Sequence, residues 1–247
     1  MLKKLLLLCM ALLVVAPAAL SADQPSSSLS MDQIVEKNAA ARGGLAAWRA
    51  VQTMRMTGDM DAGHGVKLPY TLDLKRKRKM RLELKFEGKT AVQVYDGKQG
   101  WKFRPYLGKT VAETMSPQEL QHAAGQTDLD GALMDYSTKG YKLELMGREA
   151  VEGKDAYKLK ITMPGNVVRH LWVDSASFLE VKIDGTRKMD GKEHAMYTYI
   201  RDYKTESGLL IPHLLETETE GVKGTQKLTV QAVVLNPAID DSRFTKP

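Results

Sequence analysis

The sequence predicts a mainly β protein of α+β type: a single large curved antiparallel sheet, an N-terminal helix and short capping helices. Three observations carry this. Apolar residues recur at every second position through most of residues 51–235, the period of strands with one face toward a core. Turn-forming pairs such as Asp96-Gly97, Asp184-Gly185, Ser207-Gly208 and Glu220-Gly221 punctuate the runs, as tight connections between neighbouring strands require. No strand–helix–strand rhythm appears, which argues against a doubly wound parallel sheet.

Residues 1–22 read as a cleavable export signal, with Lys3 and Lys4 at its start, an apolar stretch over 5–15 and small residues over 17–22. Cleavage after Ser21 or after Ala22 both remain open. The apolar stretch falls short of the roughly 20 residues that cross a bilayer, so a permanent anchor is not expected. Residues 23–30 form a polar, flexible tether and 31–247 one β domain. The single cysteine, Cys9, leaves with the signal. The exported chain then has no disulfide, thiolate metal site or cysteine nucleophile, and its expected location is the periplasm. Its formal charge of +6 falls to +4 without Lys3 and Lys4, enough for solubility and mild attraction to anionic surfaces.

In the domain, Ser30 caps a helix over 31–51 in which Ile34, Val35, Asn38, Ala41, Leu45 and Trp48 share helical spacing. Gly43-Gly44 interrupts it, marking a kink or a close approach to another backbone. Leu68, Tyr70, Leu72 and Leu74 then mirror Met80, Leu82, Leu84 and Phe86. A turn near Lys77 pairs Leu74 with Met80, Leu72 with Leu82, Tyr70 with Leu84 and Leu68 with Phe86, placing all eight on one face. Strands over 90–95 and 99–104 flank Asp96-Gly97, Ser116-Pro117 opens a short helix, and 129–136 forms a further turn or two of helix. Seven more strands follow, at 141–146, 156–163, 167–173, 178–186, 194–203, 209–219 and 225–235, for ten or eleven in all.

Function classes narrow by absence of motif. His64, His122, His170, His194 and His213 show no helical three- or four-residue spacing, so no metal centre is expected. There is no nucleophile elbow, zinc-protease helix or phosphate loop, and Glu216 with Glu218 or Asp240 with Asp241 has nothing to place the pair across a cleft. We expect no enzyme and no cofactor. The run Lys75-Arg76-Lys77-Arg78-Lys79 with Arg81 reads as a solvated hairpin end, or as a contact for phospholipid headgroups or an acidic partner; nucleic acid is not expected for an exported chain. A membrane-spanning barrel is disfavoured, because outward strand positions are charged and aromatics make up only 6%. Eleven methionines remain after Met1 and Met10, as core filler or as the adaptable lining of an apolar cavity.

Residues 40–45 (Ala-Ala-Arg-Gly-Gly-Leu) through Trp48, residues 51–58 (Val-Gln-Thr-Met-Arg-Met-Thr-Gly), residues 95–101 around Asp96-Gly97, Gly208-Leu209-Leu210-Ile211-Pro212 and the ending Asn236-Pro237-Ala238-Ile239-Asp240-Asp241 resemble outer-membrane lipoprotein-sorting proteins of the LolA/LolB-like superfamily. The resemblance spans nearly the whole exported chain. It implies an incomplete β-barrel capped by helices, with an apolar cavity that carries acyl chains of lipoproteins or other lipids toward the outer membrane. It also implies partners such as an inner-membrane transporter or an outer-membrane receptor. Candidate cavity residues, from strand parity, are Met54, Met56, Leu72, Leu74, Leu82, Leu84, Trp101 and Phe103, with an ordinary filled core as the alternative. Arg42 lies in the helix where a lid arginine would sit. No lipobox is present, which sets the chain apart from the anchored receptor. Two other functions stay open: a periplasmic binding or sensing module that contacts a protein partner, and a hydrolase.

Overall fold

The computed structural model describes residues 29–61, 65–189 and 191–247. The expected export signal, the tether up to 28, His64 and Asp190 of the Asp190-Gly191 turn signal lie outside them. Of the tether, Leu29 packs into the core and Ser30 caps helix α1 (Met31–Ala41) in a capping box with Gln33. Helix α2 spans Leu45–Ala50. The two glycines between them take φ of 106° and 93°, which break the helix. A Cβ on Gly43 would stand 2.5 Å from the Gly208 carbonyl oxygen, so the pair serves both expected purposes.

The strands are β1 (Thr53–Asp61), β2 (Lys67–Lys75), β3 (Lys79–Phe86), β4 (Lys89–Tyr95), β5 (Gly100–Phe103) and β6 (Glu113–Thr114), followed after helix α3 (Pro117–Gly125) by β7 (Lys142–Val151), β8 (Lys154–Met163), β9 (Val167–Asp174), β10 (Glu180–Met189), β11 (Lys192–Glu206), β12 (Leu209–Thr219) and β13 (Gln226–Leu235). All thirteen form one curved antiparallel sheet that does not close into a barrel, in the order β6-β5-β4-β3-β2-β1-β13-β12-β11-β10-β9-β8-β7. The chain thus starts at the sheet's middle, walks to one edge, jumps to the other and walks back until β13 meets β1. The jump is made by α3 and residues 126–141.

The expected hairpin register is present for Leu74 with Met80, Leu72 with Leu82 and Tyr70 with Leu84. Leu68 and Phe86 are not paired; β2 continues there alongside β1, with Leu68 opposite Met60. The turn residues Lys77 and Arg78 take φ of 67° and 62°, the positive pair that suits the twist of a tight hairpin. Two expectations are corrected. Residues 129–136 form turns rather than helix, because Gly131 and Asp135 adopt positive φ, which breaks a right-handed helical path. Asp184-Gly185 does not turn the chain but lies inside β10.

One face of the sheet carries the helices. Met54, Leu74, Met80 and Ile211 pack there against Trp48 of α2, Ala123 of α3, and Leu129 and Met134 of the connecting segment. The opposite face of β4 and β5 is covered by the C-terminal segment, whose Ile239 and Phe244 pack on Val92, Val94, Trp101 and Phe103. Charged positions on that face are not all solvated. Asp73 is fully buried and accepts hydrogen bonds from Arg55 at 2.6 and 3.0 Å and from Arg243 at 2.9 Å.

Candidate functional site

The helix-covered face is mostly apolar but is not packed over its whole length. Cross-strand registers place Ile200, Leu215, Leu228, Met60 and Leu68 in one row running over β11, β12, β13, β1 and β2. Each of the five is only half-buried. A second row holds Val233, Met56, Leu72 and Leu82, again all half-buried. A bulge in β13, where the register slips between Thr57 and Gly58 of β1, keeps Val230 and Val233 on this same face despite their odd spacing. Rows of large apolar side chains facing a concavity, without elements that fully cover them, form a trough.

The β11 end of the first row opens into a hollow of about 170 Å³. Its walls are Ile161, Met163, Leu171, Ile183 and Ile200 from the sheet and Ala132 from the connecting segment, with Gln126, Asp128, Tyr141, Arg169 and Glu180 as polar members. Four of the five polar groups have partners, Gln126 meeting His122 at 3.0 Å. The Tyr141 hydroxyl donates to Asp128 at 2.6 Å, and Arg78 stands 3.8 Å from Asp128. Glu180 lies 3.6 Å from Arg42. Burial, helped by the Asp128 carboxylate, raises the Tyr141 phenol above its ordinary range, so it stays a donor. Arg169 differs: burial pushes its guanidinium below its ordinary range, opposed by Asp184 and Tyr141.

The connecting segment over the hollow is pinned by charge. Asp130 is buried and receives Arg76 at 2.6 Å together with Lys139. Arg76 also donates to the Trp48 and Val51 carbonyls, and Arg78 to the Ala124 carbonyl and the Tyr141 hydroxyl. Lys75 and Lys79 pair with Asp241. The basic run is therefore not a solvated hairpin end. Its alternate side chains turn inward because the hairpin tip lies against carbonyls and carboxylates that need partners, and Lys77 alone of the five is exposed. Arg42 is buried at the α1–α2 elbow, stacks 4.5 Å from the Trp48 ring and donates to the Asp130 carbonyl at 2.9 Å. It ties the N-terminal helices to the cover of the hollow.

Of the eight residues proposed from parity, six share the helix-covered face. Met54 and Leu74 are sealed in the core, Met56 and Leu72 lie at its margin, and Leu82 and Leu84 are half-buried farther along. Trp101 and Phe103 point the other way, into the contact with the C-terminal segment. The physical reason is register: Tyr95 pairs with Gly100, so inner positions change from odd on β4 to even on β5. None of the eight lines the enclosed hollow. The hollow draws instead on β8 to β11, and its cation was missed. The signal for it was present, since Val167, Arg169, Leu171 and Val173 fall in one period-two frame with an arginine at an otherwise apolar position.

No family model matches the sequence, and no curated protein matches it either. Solved structures do match. A LolA superfamily protein from Nitrosomonas europaea is 17% identical and superposes with a TM-score of 0.59, over 89% of this chain and 99% of that one. An outer membrane lipoprotein-sorting protein domain from Vibrio parahaemolyticus, named as such provisionally, is 12% identical with a TM-score of 0.57, over 85% and 94%. A DUF1329 family protein from Desulfovibrio piger is 13% identical with a TM-score of 0.59, over 85% and 97%. The sheet order, the helices on its inner face and these superpositions together give the chain a LolA-like fold.

Proposed function

We propose that this protein is an exported, non-enzymatic carrier that binds the acyl chains of lipids or lipoproteins along its trough and acts in the periplasm. The observation that carries the reading is the row Ile200, Leu215, Leu228, Met60 and Leu68, half-buried and continuous with the hollow. Four inter-strand steps of about 4.8 Å give a track of roughly 19 Å, and at about 1.2 Å per carbon an extended chain of about 16 carbons matches it. A chain lying on such a floor buries about half of each methylene, on the order of 0.4 kcal/mol apiece or about 6 kcal/mol in total before ordering costs. That suits a carrier that must release its load. The name of the Vibrio parahaemolyticus relative, a lipoprotein-sorting protein, supports the same reading for a chain of this fold.

Native mass spectrometry of the protein purified from the periplasm, before and after exposure to a bacterial lipid extract, tests this. Bound acyl species at one per chain are expected. A protein that stays empty after repeated exposure and co-purifies with a stoichiometric protein partner refutes it in favour of a sensing module.

A further inference from the structure

Arg169 projects from β9 into the hollow, on the same face as its neighbours in the frame, Leu171 and Val173, and across from Ile161 on β8. Its guanidinium lies beside Gly125, at the C-terminal end of α3, and over Gly185 of β10. Its Nε is shut off from solvent and has no hydrogen-bond acceptor, and no carboxylate forms an ion pair with it among the described residues. Of the two carboxylates of the hollow, Asp128 is held by Tyr141 and Arg78, and Glu180 faces Arg42 at 3.6 Å with its buried Oε1 making no hydrogen bond. Asp184, on the neighbouring strand, faces the opposite side of the sheet and holds His170 at 2.7 Å. The carbonyl end of α3 supplies at most about half a charge of compensation.

A half-buried cation whose Nε has no acceptor is costly, and a fold keeps such a group where something else completes it. The guanidinium fork matches a carboxylate or a phosphate through two parallel hydrogen bonds. Beside it stand Ile161, Leu171, Ile183 and Ile200, and beyond Ile200 runs the apolar row.

We infer that the hollow is a headgroup site for an anionic single-chain lipid, whose carboxylate or phosphate monoester pairs with Arg169 while its acyl chain leaves past Ile200 along the trough. The assignment rests on the carrier reading above and narrows it: the preferred cargo is a free acidic amphiphile, with its head inward. The hollow has room for about six water-sized groups, which suits a small acidic head and the first few methylenes.

The test titrates the purified protein with three probes that share an oleyl or oleoyl chain: oleate, oleoyl lysophosphatidate and oleyl alcohol. Binding is read by isothermal titration calorimetry for the native protein, Arg169→Gln and Arg169→Lys. The native protein should prefer at least one acidic probe over the alcohol by about 30-fold, and in Arg169→Gln the acidic probes should bind no tighter than the alcohol does to the same variant. Arg169→Lys keeps the charge without the fork and should retain part of it. Whichever acidic probe binds tighter identifies the head as carboxylate or phosphate. Equal binding of all three by the native protein, or an acidic preference that survives in Arg169→Gln, overturns the headgroup site and leaves the carrier reading standing. Failure of every probe to bind the native protein overturns both. Should Arg169→Gln not fold, Arg169→Lys decides the matter: an acidic preference below that of the native protein supports the site, and one equal to it overturns the site.

Discussion

Replacing Leu215 with glutamate sets the trough against the solvent face of the same sheet. Leu215 sits in the middle of the apolar row, between Ile200 and Leu228, and is half-buried. A carboxylate there leaves the unliganded fold nearly intact, since about half of a full leucine burial, or about 1 kcal/mol, is lost. For a protein of this size that lowers the Tm by about 2–4 °C. With an acyl chain laid over it, the same carboxylate loses water without gaining a partner, at about 2 kcal/mol, and the leucine contact is missing as well. Together these make about 3 kcal/mol, or about 150-fold weaker binding. Val234 supplies the comparison. It lies opposite Arg55 on the other face and is 50% exposed, so Val234→Glu should leave affinity within about twofold, as exposed substitutions away from a site do. Displacement of a fluorescent fatty acid reads the affinity and a thermal melt reads the fold. A folded Leu215→Glu protein that binds within threefold of the native one, or an equal loss in Val234→Glu, refutes the argument that the helix-covered face is the binding surface.

Arg42→Met should cost about 3 kcal/mol in urea unfolding, since it leaves the buried Glu180 without its cation, and should speed hydrogen exchange over residues 126–141 while β8 and β9 stay protected; unchanged exchange there would show that Arg42 does not hold the cover. Asp73→Asn should cost about 2 kcal/mol by the same measurement, less than a sealed pair because Arg55 and Arg243 are 38% and 32% exposed and can rehydrate. Burial alone would raise the Asp73 carboxyl, but hydrogen bonds from Arg55 and Arg243 outweigh it and hold the group below its ordinary value. Its contribution is then complete above the unfolded value of about 3.9 and is lost as the pH falls through the lower folded value. The gap between native and Asp73→Asn stability should accordingly close on acidification below about pH 4, and a gap that widens there contradicts the assignment.

Local parity made much of the sheet legible before any coordinates. The β2–β3 hairpin follows from alternation alone, because a three-residue turn centred on Lys77 leaves one register that puts Leu72, Leu74, Met80 and Leu82 together. Gly43-Gly44 was readable because two adjacent glycines in a helical frame have few other uses. What failed was whatever depends on counting through a loop or on distant pairing. Residues 96–99 form a four-residue connection, so the face of Trp101 and Phe103 turns on a register the sequence does not state. β1 pairs with β13 at a separation of more than 160 residues, with a bulge that no alternation pattern announces. The hollow is harder still, because it is made by residues 126–141 crossing from one edge of the sheet to the other. Its cover was read as helix, whereas Gly131 and Asp135 fold it into turns held by Arg42, Arg76 and Lys139.

The trough has a closed end and an open one, and this fixes how a chain lies in it. At the closed end Met54, Leu74, Met80 and Ile211 of the sheet are sealed beneath Trp48, Leu129 and Met134, so nothing of acyl width passes between the sheet and α2. Toward the far ends of β2 and β3, Leu68, Leu82 and Leu84 are half-buried, while Phe86 meets the Tyr106 ring edge-on at 6.0 Å from the short helical turn Pro105–Leu107. On the carrier reading a ligand would enter from that side, and the part that enters first would travel farthest toward the connecting segment. If the acidic head entered last, it would rest among Leu68, Met60 and Phe86 near water and would need no buried cation. An arginine whose Nε has no acceptor, beside Ile161, Leu171 and Ile200, favours the opposite order, in which the cost of desolvating both charges is offset where they meet. For a chain bound in that order, release would begin at the tail, and the ionic contact at Arg169 would be the last to break.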